Sequence, residues 1–197
     1  NLSVEELAKI KARQGVELVS SGELRVIDDD GNEVPKDGKT LGEISVQGNV
    51  VMTGYYNDPE ATAAAIKDGW FYSGDAAVVH PDGYLEIRDR FKDVIISGGE
   101  NISSVEVEGC LLRHTAVMEV AVVGMPHVKW GEAPHAFVVL QDGGSATEDE
   151  LKLHVRENLA HFKTPQWISF VDDLPKTATG KVQKFVLRDG KAAISTQ

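Results

Sequence analysis

Cysteine is almost absent from this sequence: Cys110 is the single one in 197 residues. A lone thiol excludes an intrachain disulfide framework and fits a reducing compartment. Long apolar runs are missing as well. None approaches the roughly 18 residues of a membrane span, and no charged-then-apolar signal segment opens the sequence. Cations are in deficit, with 20 Lys and Arg against 31 Asp and Glu and a formal net charge of −11. Such a chain makes a poor general nucleic-acid binder, because neutralising phosphates takes clustered Lys and Arg. The six histidines (His80, His114, His127, His135, His154, His161) have no paired spacing suited to a metal site. No G-x-S-x-G elbow occurs, so a serine hydrolase has no local support. Repeats, long linkers and low-complexity tracts are lacking too. What remains, 42% hydrophobic and 26% charged, is ordinary globular composition, long enough for one large domain or two small ones. These features predict a soluble, acidic, cytoplasmic protein.

The charge is unevenly spread. Residues 1–88 hold 8 basic and 16 acidic side chains, net −8, and residues 89–197 hold 12 and 15, net −3. Residues 163–197 reverse the sign: Lys163, Lys176, Lys181, Lys184, Arg188 and Lys191 outnumber Asp172, Asp173 and Asp189. A cationic tail on an acidic protein suits an anionic small ligand more than a polymer, although a merely solvated surface would read the same way.

Periodicity and turn chemistry predict a β-rich first part. Ser3 and Glu6 have capping-box spacing for a short helix to about Arg13. Gly22 to Asp28, Leu41 to Gln47 and Val50 to Met52 read as strands, with a tight hairpin turn at Asp30-Gly31. Asp58-Pro59 starts a helix that Asp68-Gly69 ends. Pro81-Asp82-Gly83 then turns a hairpin between Ala76–Val79 and Tyr84–Arg88. The second part mixes helix and strand. Val94 to Ile96 is a strand running into Gly98-Gly99, and Ser103 with Glu106 caps a helix to about His114. Strands near Val117–Val123 and Ala136–Leu140 bracket the loop holding Trp130. Thr147 with Glu150 boxes a helix to about His161, Gln166 to Val171 forms a strand, and Phe185 to Lys191 a last helix. The fold class is α+β: a β-rich subdomain, residues 1–88, and a small α+β domain, residues 89–197, joined near Asp89–Asp93.

Several local strings can carry chemistry. Lys181 lies in LPKTATGK, a Gly/Thr loop that lets an ammonium reach a phosphate or carboxylate; an exposed loop lysine is the plainer reading. It is not a P-loop, since Pro175 stands where the first glycine is required. Gly98-Gly99 permits close approach of a ligand to the backbone, or is an ordinary turn. Asp75, after Trp70-Phe71-Tyr72, can accept two hydroxyl donors, or caps a turn. Asp28-Asp29-Asp30 is a solvated hairpin tip. Cys110, beside Leu111 and Leu112 on an amphipathic helix, is core rather than nucleophile.

Taken in order, GEISVQGNVVMTGYYNDPEAT, GWFYSGD, DGYLEIRDRFKDVIISGGENISSVEVE and LPKTATGKVQK resemble the C-terminal part of the AMP-forming acyl-CoA synthetases. These belong to the adenylate-forming superfamily, with peptide-synthetase adenylation domains and firefly-type luciferases. The resemblance runs from about Lys11 to Arg188, and KARQGV resembles the medium-chain, short-chain or aryl branch. It implies a ligase that makes an acyl-adenylate from a small carboxylic acid and ATP with Mg2+, then passes the acyl group to CoA. By resemblance, residues 1–88 close the large ATP- and acyl-binding domain and the rest is its mobile lid. Asp75 would hold the ATP ribose, with Arg90 beside it, and Lys92 would be the hinge. Lys181 would be the catalytic lysine of adenylation. Gly98 and Gly99 would line the pantetheine tunnel, with Trp130, Phe162 and Lys163 near CoA. No metal ligands are implied.

The sequence also departs from the family pattern. Thr164 stands where some relatives place an arginine for the CoA nucleotide, and Lys92 where many have aspartate. A TSGTTGxPKG-like phosphate loop, a Y-G-x-T-E segment and the acyl pocket have no counterpart here. The chain therefore reads as a C-terminal piece of a longer enzyme, inactive by itself, with no ATP or CoA expected to stay bound and an apolar face that could drive dimerisation. Two other readings stay open: an adenylation domain loading a carrier protein, and a non-catalytic interaction module keeping the fold.

Overall fold

The computed structural model describes residues 2–17 and 19–190. The chain divides into two compact units, Asn1–Lys92 and Asp93–Gln197. Its architecture is α+β.

In the first unit, α1 (Val4–Lys11) opens on a reciprocal cap. The Glu6 N–H donates to Ser3 Oγ at 3.2 Å, and the Ser3 N–H donates to Glu6 Oε2 at 2.7 Å. The antiparallel sheet is built from β1 (Glu23–Ile27), β2 (Gly42–Gln47), β3 (Ile66–Lys67), β4 (Trp70–Val79) and β5 (Leu85–Arg90), in the order β1-β2-β4-β3 with β5 on β4. Alternate residues Val26, Ile44 and Ala77 turn inward with Val34 and Leu85 to form the core. After β1 the Asp28 carboxylate accepts the N–H groups of Asp30 and Asn32 at 3.0 and 2.8 Å, which fixes the turn around Gly31.

Two local expectations differ. Val50–Met52 is not a strand. β2 stops at Gly48, whose Cα passes so close to Ser21 that a Cβ would sit 2.5 Å from the Ser21 carbonyl oxygen, and the Val51 N–H turns back to Gly48 O at 3.2 Å. Local turn geometry thus outweighs the β-branched composition. Asp68-Gly69 does not end α2 (Pro59–Ala65), which Asp58 caps as expected. With φ of +50° and +79° these two residues form the two-residue hairpin turn between β3 and β4.

The second unit holds a five-stranded mixed sheet: β6 (Ile95–Ser97), β7 (Glu100–Ile102), β8 (Val117–His127), β9 (Gly131–Leu140) and β10 (Trp167–Phe170). β9 is its axis, antiparallel to β8, parallel to β10 and bridged to β6 at Ser97–Gly131. Both sheet faces are covered, which is why β8 and β9 carry the apolar runs Val120–Val123 and Ala136–Leu140 at their centres. Val120, Val122, Ala136 and Val138 face α3 (Ser104–Leu111) and α4 (Glu148–Asn158) through Val107, Cys110, Leu111, Leu151 and Val155. Ala121, Val123, Phe137 and Val139 face Val171, Leu174 and Leu187, the last on α5 (Lys184–Arg188). α4 carries the full Thr147–Glu150 capping box but ends at Asn158. Leu159 and Ala160 are extended, and a 3-10 turn, His161–Lys163, leads to Thr164, held extended before Pro165. α3 likewise stops at Leu111, short of His114. The end of the last predicted helix, Lys191, lies outside the described residues.

Candidate functional site

The Asp75 site begins with an irregular ladder. β2 and β4 are in register at Ser45–Tyr72 and again at Glu43–Ala76, so Ile44 alone faces Ser73-Gly74-Asp75. The surplus residues bulge outward, which re-aims side chains at a sheet edge. Gly74 takes φ +71°, where glycine has no Cβ penalty. Its N–H donates to Glu43 Oε1 at 2.9 Å, and the Asp75 N–H donates to Ser73 Oγ at 3.1 Å. Asp75 faces Arg90 across the β4–β5 ladder. Arg90 Nη1 lies 3.1 Å from Asp75 Oδ1 and donates to Ser73 O at 3.0 Å. The result is a half-buried carboxylate with spare acceptor capacity, steadied by an exposed guanidinium. Lys92, two residues on, is exposed on the 3-10 turn that closes the first unit.

In the second unit Lys181 sits on a loop locked at its base. Lys176 and Val182 form an antiparallel bridge, and the Gln183 N–H donates to Pro175 O at 2.7 Å. Thr177 clamps the tip. Its N–H donates to Lys181 O at 2.8 Å, its Oγ1 accepts the Lys181 N–H at 3.1 Å, and its carbonyl accepts the Gly180 N–H at 2.9 Å. Gly180 takes φ +84° in the turn. Lys176 anchors the loop to β8 through Glu119 at 2.7 Å, and this carboxylate raises its pKa. The Lys181 ammonium itself is exposed and ion-paired to none of the described residues.

The Gly98-Gly99 turn joins β6 to β7 with φ of +61° and +89°. The Gly98 N–H donates to Trp130 O at 2.9 Å, and a Cβ on Gly98 would sit 2.9 Å from Trp130 Cε3. At Gly99 a Cβ would meet nothing within 4 Å. Gly98, Trp130 and Phe162 line one groove of about 390 Å³, together with Arg156, His161 and Thr164. Trp130 and Phe162 are 42% and 45% exposed there, so two aromatic faces are offered to a ligand. Lys163 is turned away: its Nζ lies 2.6 Å from Glu106 Oε2. Thr164 Oγ1 is buried in the groove wall with no hydrogen-bond partner among the described residues.

Of the residues singled out by sequence, the first unit joins Asp75 to Arg90 and the second joins Gly98, Trp130 and Phe162. Gly99 and Lys163 stand beside the groove without lining it. Sequence reasoning missed Glu43, which pins the bulge from a neighbouring strand, and Arg156 and His161, which enter the groove from α4 and the turn after it. Thr177 was within reach, since a Thr four residues before a loop lysine is a turn-clamp signal. Among the described residues no cluster of His, Cys, Asp and Glu could hold a metal ion. Nor is any described helix long and apolar enough to cross a membrane.

Known proteins match this chain over all or part of its length. Residues 106–181 match the AMP-binding enzyme C-terminal domain. The probable acyl-activating enzyme 5, peroxisomal, of Arabidopsis thaliana is 52% identical over 191 residues, which are 95% of this chain and 35% of that protein. The 4-hydroxybutyrate–CoA ligase 2 of Metallosphaera sedula is 53% identical over 189 residues, 96% of this chain and 34% of that one. Among solved structures, o-succinylbenzoate CoA synthetase of Bacillus subtilis, in complex with its acyl-adenylate intermediate, superposes with a TM-score of 0.83 at 36% identity. That match covers 100% of this chain and 39% of the other. The chain thus spans about a third of the length of the curated relatives it matches.

Proposed function

We propose, from the match of residues 106–181 to the AMP-binding enzyme C-terminal domain, that the chain serves an AMP-forming carboxylate–CoA ligase. In the first half-reaction a carboxylate oxygen bonds to the α-phosphorus of ATP and pyrophosphate leaves. In the second, the CoA sulfur bonds to the acyl carbon and AMP leaves.

Asp75 accepts hydrogen bonds from the ribose hydroxyls, and Arg90 holds that carboxylate in place. Lys181 is the catalytic lysine of adenylation. Its ammonium sits between the carboxylate and the α-phosphate and offsets charge as two anions are brought together. The groove at Gly98 and Trp130 takes CoA, with Gly99 beside the thiol, Phe162 offering a second aromatic face and Lys163 acting through Glu106. Lys92 is the pivot between the units, and 1–88 and 89–197 act as closing subdomain and lid. ATP enters as its Mg2+ complex, the metal arriving with the substrate. The acid is small, of the short-chain, medium-chain or aryl branch, a reading supported by the 4-hydroxybutyrate ligase among the relatives. Relatives named as CoA ligases at over half identity favour CoA over a carrier protein as acceptor.

The observation that carries the proposal is the Lys181 loop: a tip clamped by Thr177 that presents an ammonium left unpaired among the described residues. In the ligase carrying this chain, Lys181→Ala should slow pyrophosphate exchange by about a hundredfold or more while sparing thioester formation from supplied acyl-adenylate. Equal loss in both half-reactions would remove Lys181 from the role given to it.

A further inference from the structure

His127 is the residue on which the Trp130 turn is built. β8 and β9 are joined by three residues, Val128-Lys129-Trp130, closed by the His127–Gly131 pair with Gly131 at φ +78°. A three-residue hairpin loop of this kind leaves N–H groups at its bend in need of an acceptor. Here the acceptor is a side chain. His127 Nδ1 receives the Lys129 N–H and the Trp130 N–H, each at 3.2 Å. Accepting at Nδ1 places the ring proton on Nε2.

The same ring stacks on the indole of Trp130, with centroids 6.3 Å apart and planes 20° from parallel. It also meets Trp167 of β10, with centroids 5.8 Å apart. Trp130 is therefore held three ways: its N–H by His127, its face by the same imidazole, and its carbonyl by the Gly98 N–H. The Lys129 ammonium, 4.3 Å from the centroid of the same indole, adds a cation–π contact from within the turn.

We propose that His127 is a positioning residue for the thioester-forming step: by capping the β8–β9 turn through Nδ1 it fixes the Trp130 indole against Gly98, pre-forming the aromatic wall that CoA meets. His127 touches no reactant in this role; it acts through Trp130. The proposal rests on the reading of the groove as the CoA site. Preorganisation of this kind lowers the ordering cost of binding and leaves the adenylation chemistry alone.

The test uses the ligase carrying this chain, with thioester formation from supplied acyl-adenylate and pyrophosphate exchange measured separately. His127→Ala should raise the KM for CoA by about tenfold, the scale of one or two lost hydrogen bonds, with exchange unchanged. His127→Asn, whose Oδ1 can accept the same two N–H groups as an Asx turn, should stay within about twofold of the parent. Amide hydrogen exchange at Lys129 and Trp130 should speed up in the Ala variant and stay protected in the Asn variant. If Trp130→Ala raises the KM for CoA and His127→Ala does not, the positioning role is overturned while the groove reading stands. If Trp130→Ala leaves that KM unchanged, the groove reading itself fails. An Asn variant as impaired as Ala, or loss of both half-reactions in His127→Ala, would also overturn the role given to His127.

Discussion

Replacing Gly98 with alanine separates two costs that its neighbour Gly99 combines differently. Both glycines have positive φ, +61° and +89°, so alanine at either takes on about 1 kcal/mol of Cβ strain in the left-handed region. Only at Gly98 does the new methyl collide, because its position lies 2.9 Å from Trp130 Cε3, against nothing within 4 Å at Gly99. To restore ordinary contact the indole must move by several tenths of an ångström. That motion strains the Gly98 N–H bond to Trp130 O and the stack on His127, at a cost of about 1 kcal/mol more. Gly98→Ala should thus lose about 2 kcal/mol and Gly99→Ala about 1 kcal/mol, roughly a fivefold difference in the unfolding equilibrium. Urea unfolding read by tryptophan fluorescence measures it, in a Trp70→Phe background so that Trp130 and Trp167, both in the second unit, supply the signal. Adding Trp130→Ala should erase the excess at Gly98, since the methyl then has room. Equal losses at the two glycines, or an excess that survives removal of the indole, would refute the steric argument.

Three further outcomes follow from the same structure. Cys110 is fully buried, and burial raises its thiol pKa, so a thiol reagent should label no cysteine in the native chain and one after denaturation. Thr147→Ala removes the cap received by the Glu150 N–H at 3.2 Å and should cost about 1 kcal/mol in urea unfolding, while Thr147→Ser restores most of it. Burial lowers the His135 pKa, with Glu148 opposing more weakly. The unfolded chain therefore takes up a proton near pH 6.5 that the folded second unit refuses until lower pH. Stability from this group is present above 6.5 and declines as pH falls toward the folded pKa. The fall in urea midpoint between about pH 7.5 and about pH 5.5 should shrink in His135→Gln.

What the sequence made legible were the features fixed within a few residues. Asp58, Ser103 and Thr147 all cap the helices their spacing announced, because a cap needs only the backbone three residues on. The hairpin turns at Gly31 and Gly83 likewise depend on local φ alone. Val50–Met52 misled because β-branched composition says nothing of whether a partner edge is present; Gly48 closing on Ser21 decides the matter. β7 was missed because Glu100-Asn101-Ile102 has too little apolar pattern, and exists because the Gly98-Gly99 turn returns the chain along β6. The Asp75 bulge is set by register between strands about thirty residues apart in sequence, and no local signal carries that. Likewise Arg156 and His161 line the same groove as Gly98 across about sixty residues of sequence, a juxtaposition set by the tertiary fold and carried by no local signal.

The cationic tail shows how far a charge count can carry an argument. Residues 163–197 suggested an anion-binding surface, yet four of those six cations are engaged in ion pairs. Lys163 pairs with Glu106, Lys176 with Glu119 and Asp173, Lys184 with Glu108 and Arg188 with Asp93. Each ties the tail to β8, to α3 or to the start of the second unit. These pairs are partly exposed and individually worth little, so their effect is to restrict where the loop and α5 can lie more than to stabilise them. Between Lys176 and Lys184, both held, lies Lys181, paired with none of the described residues. The excess of positive charge is therefore not a diffuse patch that attracts anions. Among the described residues it is a set of moorings that leaves one ammonium, that of Lys181, at the tip of a clamped loop, and preorganising one charge in this way is what electrostatic catalysis on an anionic substrate requires.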